Sequence, residues 1–277
     1  MPELPELELL RRDLEREIGD RKIKSIDVLV PGVAKHPNRK GLTAALEGAK
    51  LTGVSRTGML LLFGVEGTST LVLSLGEHSR LTRNQPKEDV ASGTAFVINF
   101  TQGGQLRLFD PKKEASVELV PAEDLLELHP ELTHLGLDAV DEPISWTTFG
   151  ERIMRREGKL KTILMDQTFL VGIGPIYSDE ILFHSGLRYD RNTSTLSAQE
   201  VRRLYRALVE TVHEALKYSG TTLGPDGWVG LSGKPGDYQQ YLTVYKRDGE
   251  MSPRARGPIV KARFGSGYTY FCEQTQV

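Results

Sequence analysis

A single cysteine, Cys272, leaves this chain of 277 residues with no partner for an internal disulfide and excludes a zinc site built mainly on thiolates. No apolar run approaches the roughly 18 residues that would cross a bilayer. The N-terminal segment is charged and amphipathic rather than a secretory leader, so a cytoplasmic protein is expected. Charge of one sign is also lacking: 35 Lys and Arg face 37 Asp and Glu, for a net charge of −2, which removes any global nucleic-acid signature. The remaining composition, 39% hydrophobic and 26% charged, is that of an ordinary globular chain and excludes disorder as its main state. Charge is uneven locally, however. Between Tyr245 and Phe264 six basic residues (Lys246, Arg247, Arg254, Arg256, Lys261, Arg263) meet two acidic ones (Asp248, Glu250), which fits either a basic binding patch or a solvated hairpin.

The chain opens Met1-Pro2-Glu3-Leu4-Pro5-Glu6. Once Met1 is removed, Pro2 presents a secondary amine that titrates near pH 8, so part of it is unprotonated at neutral pH and able to attack an electrophilic carbon. Glu3 stands beside it as a proton carrier. The same string also suits an ordinary helix start, with proline in the first turn and glutamates facing the positive end of the dipole.

Leu7, Leu10, Leu14 and Ile18 recur at helical spacing and Gly19 follows, so residues 3–18 read as an amphipathic helix. From Lys22 to Val120 short β-rich runs alternate with turn residues, which predicts a β-sandwich. Helical segments follow near Trp146 to Arg156, Lys161 to Asp166 and Ile176 to Ser185. Ser197 to Glu200 is a capping box that opens an apolar-faced helix ending at Gly220. Residues 221–238 are glycine-rich and read as a flexible loop; the tail reads as a small β-hairpin. The fold class is α+β, with expected domains at 1–125 (helix plus sandwich), 126–238 (helical, with the loop) and 239–277 (hairpin).

The opening string recurs in order with Leu132-Thr133-His134-Leu135-Gly136, Leu164-Met165-Asp166-Gln167, Val171 to Glu180, Gly220-Thr221-Thr222-Leu223, Gly233-Lys234-Pro235-Gly236 and Val244-Tyr245. Together these motifs resemble the formamidopyrimidine-DNA glycosylase and endonuclease VIII family along the whole chain. The resemblance implies an N-terminal helix and two-layer β-sandwich, a helix-two-turn-helix domain and a C-terminal finger. It also implies a monomeric DNA repair glycosylase with abasic-lyase activity on damaged DNA, duplex or single-stranded, needing no cofactor. In this reading Pro2 attacks the sugar, Glu3 shuttles protons and Glu6 positions the terminus. Gly172 and Gly174 would face a DNA phosphate before a helix N-terminus, although a glycine turn between helices reads the same way. Lys161 would contact phosphate or be an ordinary exposed helix lysine. Tyr177, Lys113, Arg256 and Arg263 complete the expected DNA contacts.

The chain departs from that pattern in several places. Ser252, Ala255 and Thr275 stand where three zinc cysteines would be, so a zincless finger is expected, with no metal site. Gly267 replaces the finger arginine, Met59 a phosphate-binding lysine and Pro175 an asparagine. Glu77, Lys113 and Glu114 stand where the side chains that fill the void of an extruded base are usually methionine, arginine and phenylalanine. Carboxylates repel a polyanion. Two readings therefore stand side by side: an active glycosylase and lyase, supported by the intact opening string, and a weakened or inactive DNA-binding protein, supported by the lost contacts.

Overall fold

Apolar residues three and four apart generate α1, Leu4–Ile18, whose Leu7, Leu10, Leu14 and Ile18 are at most 1% exposed. Full burial of each such side chain contributes about 1.5–3 kcal/mol, so this helix is held by packing rather than by propensity. The structure is a computed structural model that describes residues 2–141 and 143–277. It divides into a unit formed by residues up to Thr133 with Ser219–Asp237, and a second formed by His134–Tyr218 with Tyr238–Val277.

In the first unit α1 leads into β1 (Ile23–Val28), β2 (Ala34–His36), α2 (Arg39–Leu46), β3 (Leu51–Thr57), β4 (Leu60–Val65), β5 (Ser69–Ser74) and β6 (Arg80–Asn84). β7 (Thr94–Phe100), β8 (Gln105–Phe109), β9 (Ser116–Pro121) and the short α3 (Leu125–Leu128) complete it. The strands form two sheets, ordered β1-β7-β8-β6 and β2-β9-β5-β4-β3, antiparallel except for the β2–β9 pair. Period-two alternation sends Leu61, Phe63 and Val65 of β4 into one core with Phe96, Ile98, Leu106 and the α1 leucines. Leu62 points the other way, into a small cluster with Val72 and Val120. The sandwich agrees with the sequence reading; α2 and β6 are additions. α2 is only eight residues, started by the Asn38 side chain accepting from the Gly41 amide at 3.1 Å. β6 is an edge strand on which Leu81 is the buried residue, so no apolar pattern announces it.

The second unit contains α4 (Trp146–Met154), α5 (Leu160–Leu164), α6 (Pro175–Ser185), α7 (Ala198–Lys217) and a hairpin of β10 (Val260–Phe264) and β11 (Gly267–Phe271). α7 starts at the anticipated capping box: Ser197 N donates to Glu200 Oε2 at 2.8 Å and Glu200 N to Ser197 Oγ at 3.3 Å. α6 is buried from Tyr177 to Phe183, which erases the amphipathic pattern a surface helix would show.

The hairpin groups with the helices rather than standing apart, and Ser219–Asp237 groups with the sandwich rather than with the helices. This segment is also tied down. Leu231 is fully buried in the sandwich core, its carbonyl accepts from Arg83 N of β6 at 2.8 Å, and Arg80 Nη2 donates to Pro225 O at 2.9 Å. Gly236 N donates to Thr222 Oγ1 at 2.8 Å, closing the segment on itself. The apolar anchors Trp228 and Leu231 sit among glycines, so composition alone suggested a free loop.

Leu231→Ala is expected to destabilise the protein by about 2–5 kcal/mol, the usual cost of truncating a buried leucine, as measured by urea unfolding. A loop that packed against nothing would give a change within about 0.5 kcal/mol.

Candidate active site and nucleic-acid interface

The N-terminus of α1 concentrates three buried carboxylates: Glu3, Glu6 and Glu8 are 2%, 1% and 3% exposed. Pro2 is itself buried and precedes Glu3, the N-cap of the helix. Pro5 sits in the first turn, where a missing N–H costs nothing. Glu6 Oε2 accepts from Glu3 N at 3.0 Å and Glu6 Oε1 from Thr221 N at 2.8 Å. One side chain thus fixes both the backbone that carries Pro2 and the start of the glycine-rich segment. Gly220 has φ +75° there, and a Cβ on it would lie 3.0 Å from Glu6 Oε1 and 3.1 Å from Trp228 Cζ3, so glycine is required.

Glu8 was not singled out by the sequence. It binds Arg11 at 2.8 Å, Arg12 at 2.7 Å and Arg56 at 3.3 Å, and the Arg56 side chain is wholly buried and also donates to Gly58 O at 2.9 Å. Burial pushes the Glu8 carboxyl up, but the arginines outweigh it and hold the group below its ordinary value. The ion pair fastens α1 to the end of β3, and the Arg56 bond to Gly58 O ties in the turn that follows. Met59, on that turn, packs its side chain against the sandwich core.

Two loops of the same unit carry the residues that replace the usual void-filling set. Glu77, Lys113 and Glu114 are exposed, and Lys113 has φ +59° at a tight bend. Glu114 Oε2 accepts from His78 N at 3.1 Å, which lowers its pKa. Beneath them the buried Asp110 accepts from Ser79 Oγ and Glu114 N, both at 3.1 Å, and from Ala115 N at 2.9 Å. The loops are therefore built, and they present acidic side chains.

In the second unit several of the expected DNA-contact residues are buried or bonded internally. Lys161 is 0% exposed and its Nζ donates to Asp179 Oδ1 at 2.6 Å, so it is an internal cation rather than a surface one. Tyr177 is also 0% exposed, its ring 5.8 Å from that of Tyr238. The Gly172 amide donates to Gln167 Oε1 at 2.7 Å and is not presented to a ligand; its φ of +68° serves the turn into α6. Gly174 is the N-cap of α6. Arg256 and Arg263 are exposed. On the outward face of the hairpin Lys261 Nζ lies 4.1 Å and Arg263 Cζ 5.9 Å from the Tyr268 ring centre, a cation and aromatic surface suited to phosphate and base contacts.

The hairpin is held without thiolate ligands. Asp179 accepts from Lys161, from Thr269 Oγ1 and from Tyr270 N, while Glu180 accepts from the amides of Thr243 at 2.8 Å and of Val244 and Tyr245, each at 2.9 Å. Cys272 is buried in a cluster with Phe183, Val244, Ile259 and Tyr270. Burial pushes its thiol up, but the polar groups of Thr275, Ser252 and Gln274 around it outweigh this and hold it below its ordinary value. The described residues contain no group of three or more His, Cys, Asp or Glu that could hold a metal.

Residues 1–117 match the formamidopyrimidine-DNA glycosylase N-terminal domain and residues 135–225 the formamidopyrimidine-DNA glycosylase H2TH domain. The formamidopyrimidine-DNA glycosylase of Pelotomaculum thermopropionicum is 32% identical over 276 residues, spanning 100% of this chain and 99% of the relative. The chain belongs to the formamidopyrimidine-DNA glycosylase family. Among solved structures, the MutM (Fpg) protein of Thermus thermophilus superposes with a TM-score of 0.87 at 30% identity, over 99% of this chain and 98% of that one. The Lactococcus lactis Fpg in complex with abasic-site DNA gives 0.89 at 26% identity, over 99% of both chains. These likenesses extend through the hairpin, so the family fold persists here where Cys272 is the lone cysteine.

Asp179→Asn is expected to cost about 3–5 kcal/mol in urea unfolding, because it leaves the Lys161 cation buried without its counter-charge. Adding Lys161→Met should recover most of that loss. The pH dependence is also set. Burial raises the Asp179 carboxyl to about 6 against the opposing pull of Lys161 and the hydrogen bonds. The folded chain therefore keeps a proton that the unfolded chain releases near pH 4, and this group's contribution to stability falls as pH rises from about 4 to about 6. Unfolding free energies of wild type minus Asp179→Asn across that window measure it.

Proposed function

We propose that this chain is a base-excision-repair DNA glycosylase with abasic-lyase activity, acting on oxidised bases through the Pro2 amine. The observation that carries the proposal is the buried clamp of Glu6 on the Glu3 and Thr221 amides, which fixes the backbone next to Pro2 beside an acidic group, Glu3. An internal carboxylate beside a terminal amine suits proton transfer at neutral pH.

In this mechanism the target nucleotide is extruded from the duplex, at a cost of a few kcal/mol that is smaller for a damaged base. The Pro2 nitrogen attacks C1′ and the glycosidic bond breaks, its electron pair leaving with the base, which takes up a proton. The new ammonium loses its proton to Glu3. The C1′–O4′ bond then opens, O4′ is protonated, and an iminium forms. Loss of a C2′ proton expels the 3′ phosphate, and a second elimination expels the 5′ phosphate. Water finally releases Pro2. Lys113, Arg256, Arg263 and the α6 N-terminus at Gly174 are the proposed backbone contacts.

A second reading is favoured by specific geometry: Met59, half-buried, packs against the core, and Glu77 and Glu114 face solvent. These features weaken the electrostatic grip on a polyanion and suit a DNA-binding relative with reduced catalysis.

Borohydride reduction in the presence of abasic-site oligonucleotides, duplex and single-stranded, separates the two. The Met1-processed protein should give a covalent adduct that an N-terminal extension abolishes. Glu3→Gln should slow base excision by about 10²–10⁴-fold. DNA binding without any adduct would establish the second reading.

A further inference from the structure

From Glu114 to Glu151 the chain has no lysine or arginine, against 35 in the whole sequence, and ten of these residues are acidic. Within the first unit this stretch leaves β9 at Pro121, makes a single 3-10 turn at Ala122–Asp124 and continues into α3. Two leucines of that short helix face solvent: Leu126 is 55% and Leu128 49% exposed. The exposed Glu123, Glu127 and Glu131 flank them. A lone exposed leucine needs no explanation, but two within three residues on an ordered element point to contact with a partner.

The leucines are held outward by the way the segment is anchored. Leu125 packs on Leu62, Val72 and Val120, the small cluster on the sheet face opposite the main core. Ala122 N donates to Thr68 O and His129 N to Leu125 O, both at 2.9 Å. The His129 ring joins the far end of the segment to β9, with Nε2 3.5 Å from Glu118 Oε2 and Nδ1 3.1 Å from Glu131 Oε1. Thr133 Oγ1 closes the next turn on Pro130 O at 2.7 Å. A segment fixed at both ends loses little conformational entropy when a partner covers it, so little contact energy goes into ordering it.

Charge decides the class of occupant. Acidic side chains around the leucines repel nucleic acid, so this surface does not serve DNA. They attract a basic rim, while the leucines suit an apolar pocket at its centre, which is the anatomy of a protein–protein contact. We infer that residues 121–131 form a docking site for a partner protein whose surface is basic around an apolar pocket. Leu126 and Leu128 supply the buried contact, and Glu123 and Glu127 the charge that steers and orients it. The inference does not depend on the Pro2 chemistry.

The probe is a synthetic leucine–lysine peptide that forms a helix with one apolar and one basic face, set beside an all-lysine peptide. In fluorescence titrations the leucine–lysine peptide should bind the wild-type chain more tightly than the all-lysine one. Leu126→Ser with Leu128→Ser should weaken the leucine–lysine peptide about tenfold and leave the all-lysine peptide unchanged. Glu123→Gln with Glu127→Gln should weaken both peptides and flatten their salt dependence. Melting temperatures and affinity for an abasic-site duplex should match wild type in both variants. No binding of the leucine–lysine peptide, equal affinity in wild type and the leucine variant, or a duplex affinity that falls as far as the peptide affinity would overturn the inference. So would a wild-type dimer in sedimentation that the leucine variant dissociates, because the occupant would then be a second copy of this chain.

Discussion

Glu6 accepts a hydrogen bond from the Glu3 amide on one oxygen and from the Thr221 amide on the other, with almost no exposure to water. A buried carboxylate is tolerated because donors satisfy both oxygens, and the same constraint dictates much of its surroundings. Gly220 must lack a side chain, the segment that follows must approach α1, and Glu3 must end its extended backbone at the helix cap. Glu8 and Arg56 support the arrangement by pairing α1 with the end of β3. The terminus is thus positioned by charge and hydrogen bonding, on a helix that apolar packing has already fixed.

The second unit solves a different problem with the same chemistry. A small hairpin has little core of its own, and here neighbouring carboxylates on α6 tie it down. Asp179 gathers Lys161 and the β11 backbone, while Glu180 gathers the amides of Thr243, Val244 and Tyr245. Arg254 adds donors to the carbonyls of Phe183 and His184 near the end of α6, both at 3.0 Å. Around Cys272, hydroxyls and apolar side chains pack where deprotonated ligands would otherwise need a metal.

Legibility in the sequence followed the kind of signal each element leaves. α1 and α7 were readable because half-buried helices leave a periodic stripe and a capping box, and most sandwich strands because alternation survives in them. β6 and α2 carried too few apolar residues to register. Among candidate site residues, the opening string pointed to the buried cluster at α1, whereas Lys161 and Tyr177 look the same in sequence whether they face water or a core. Glu8 and Arg56 are separated by most of the first β segment, and no local pattern joins them. Trp228 stood in a glycine-rich stretch, and its packing on the sandwich core is a property of three-dimensional structure alone.

In the proposed chemistry the sugar becomes covalently attached at Pro2. Digestion of the borohydride-reduced protein–DNA adduct followed by mass spectrometry of the N-terminal peptide tests this most directly. A deoxyribose-derived remnant on Pro2 is the predicted result. A remnant on a lysine such as Lys113 or Lys261, with Pro2 unmodified, would contradict it.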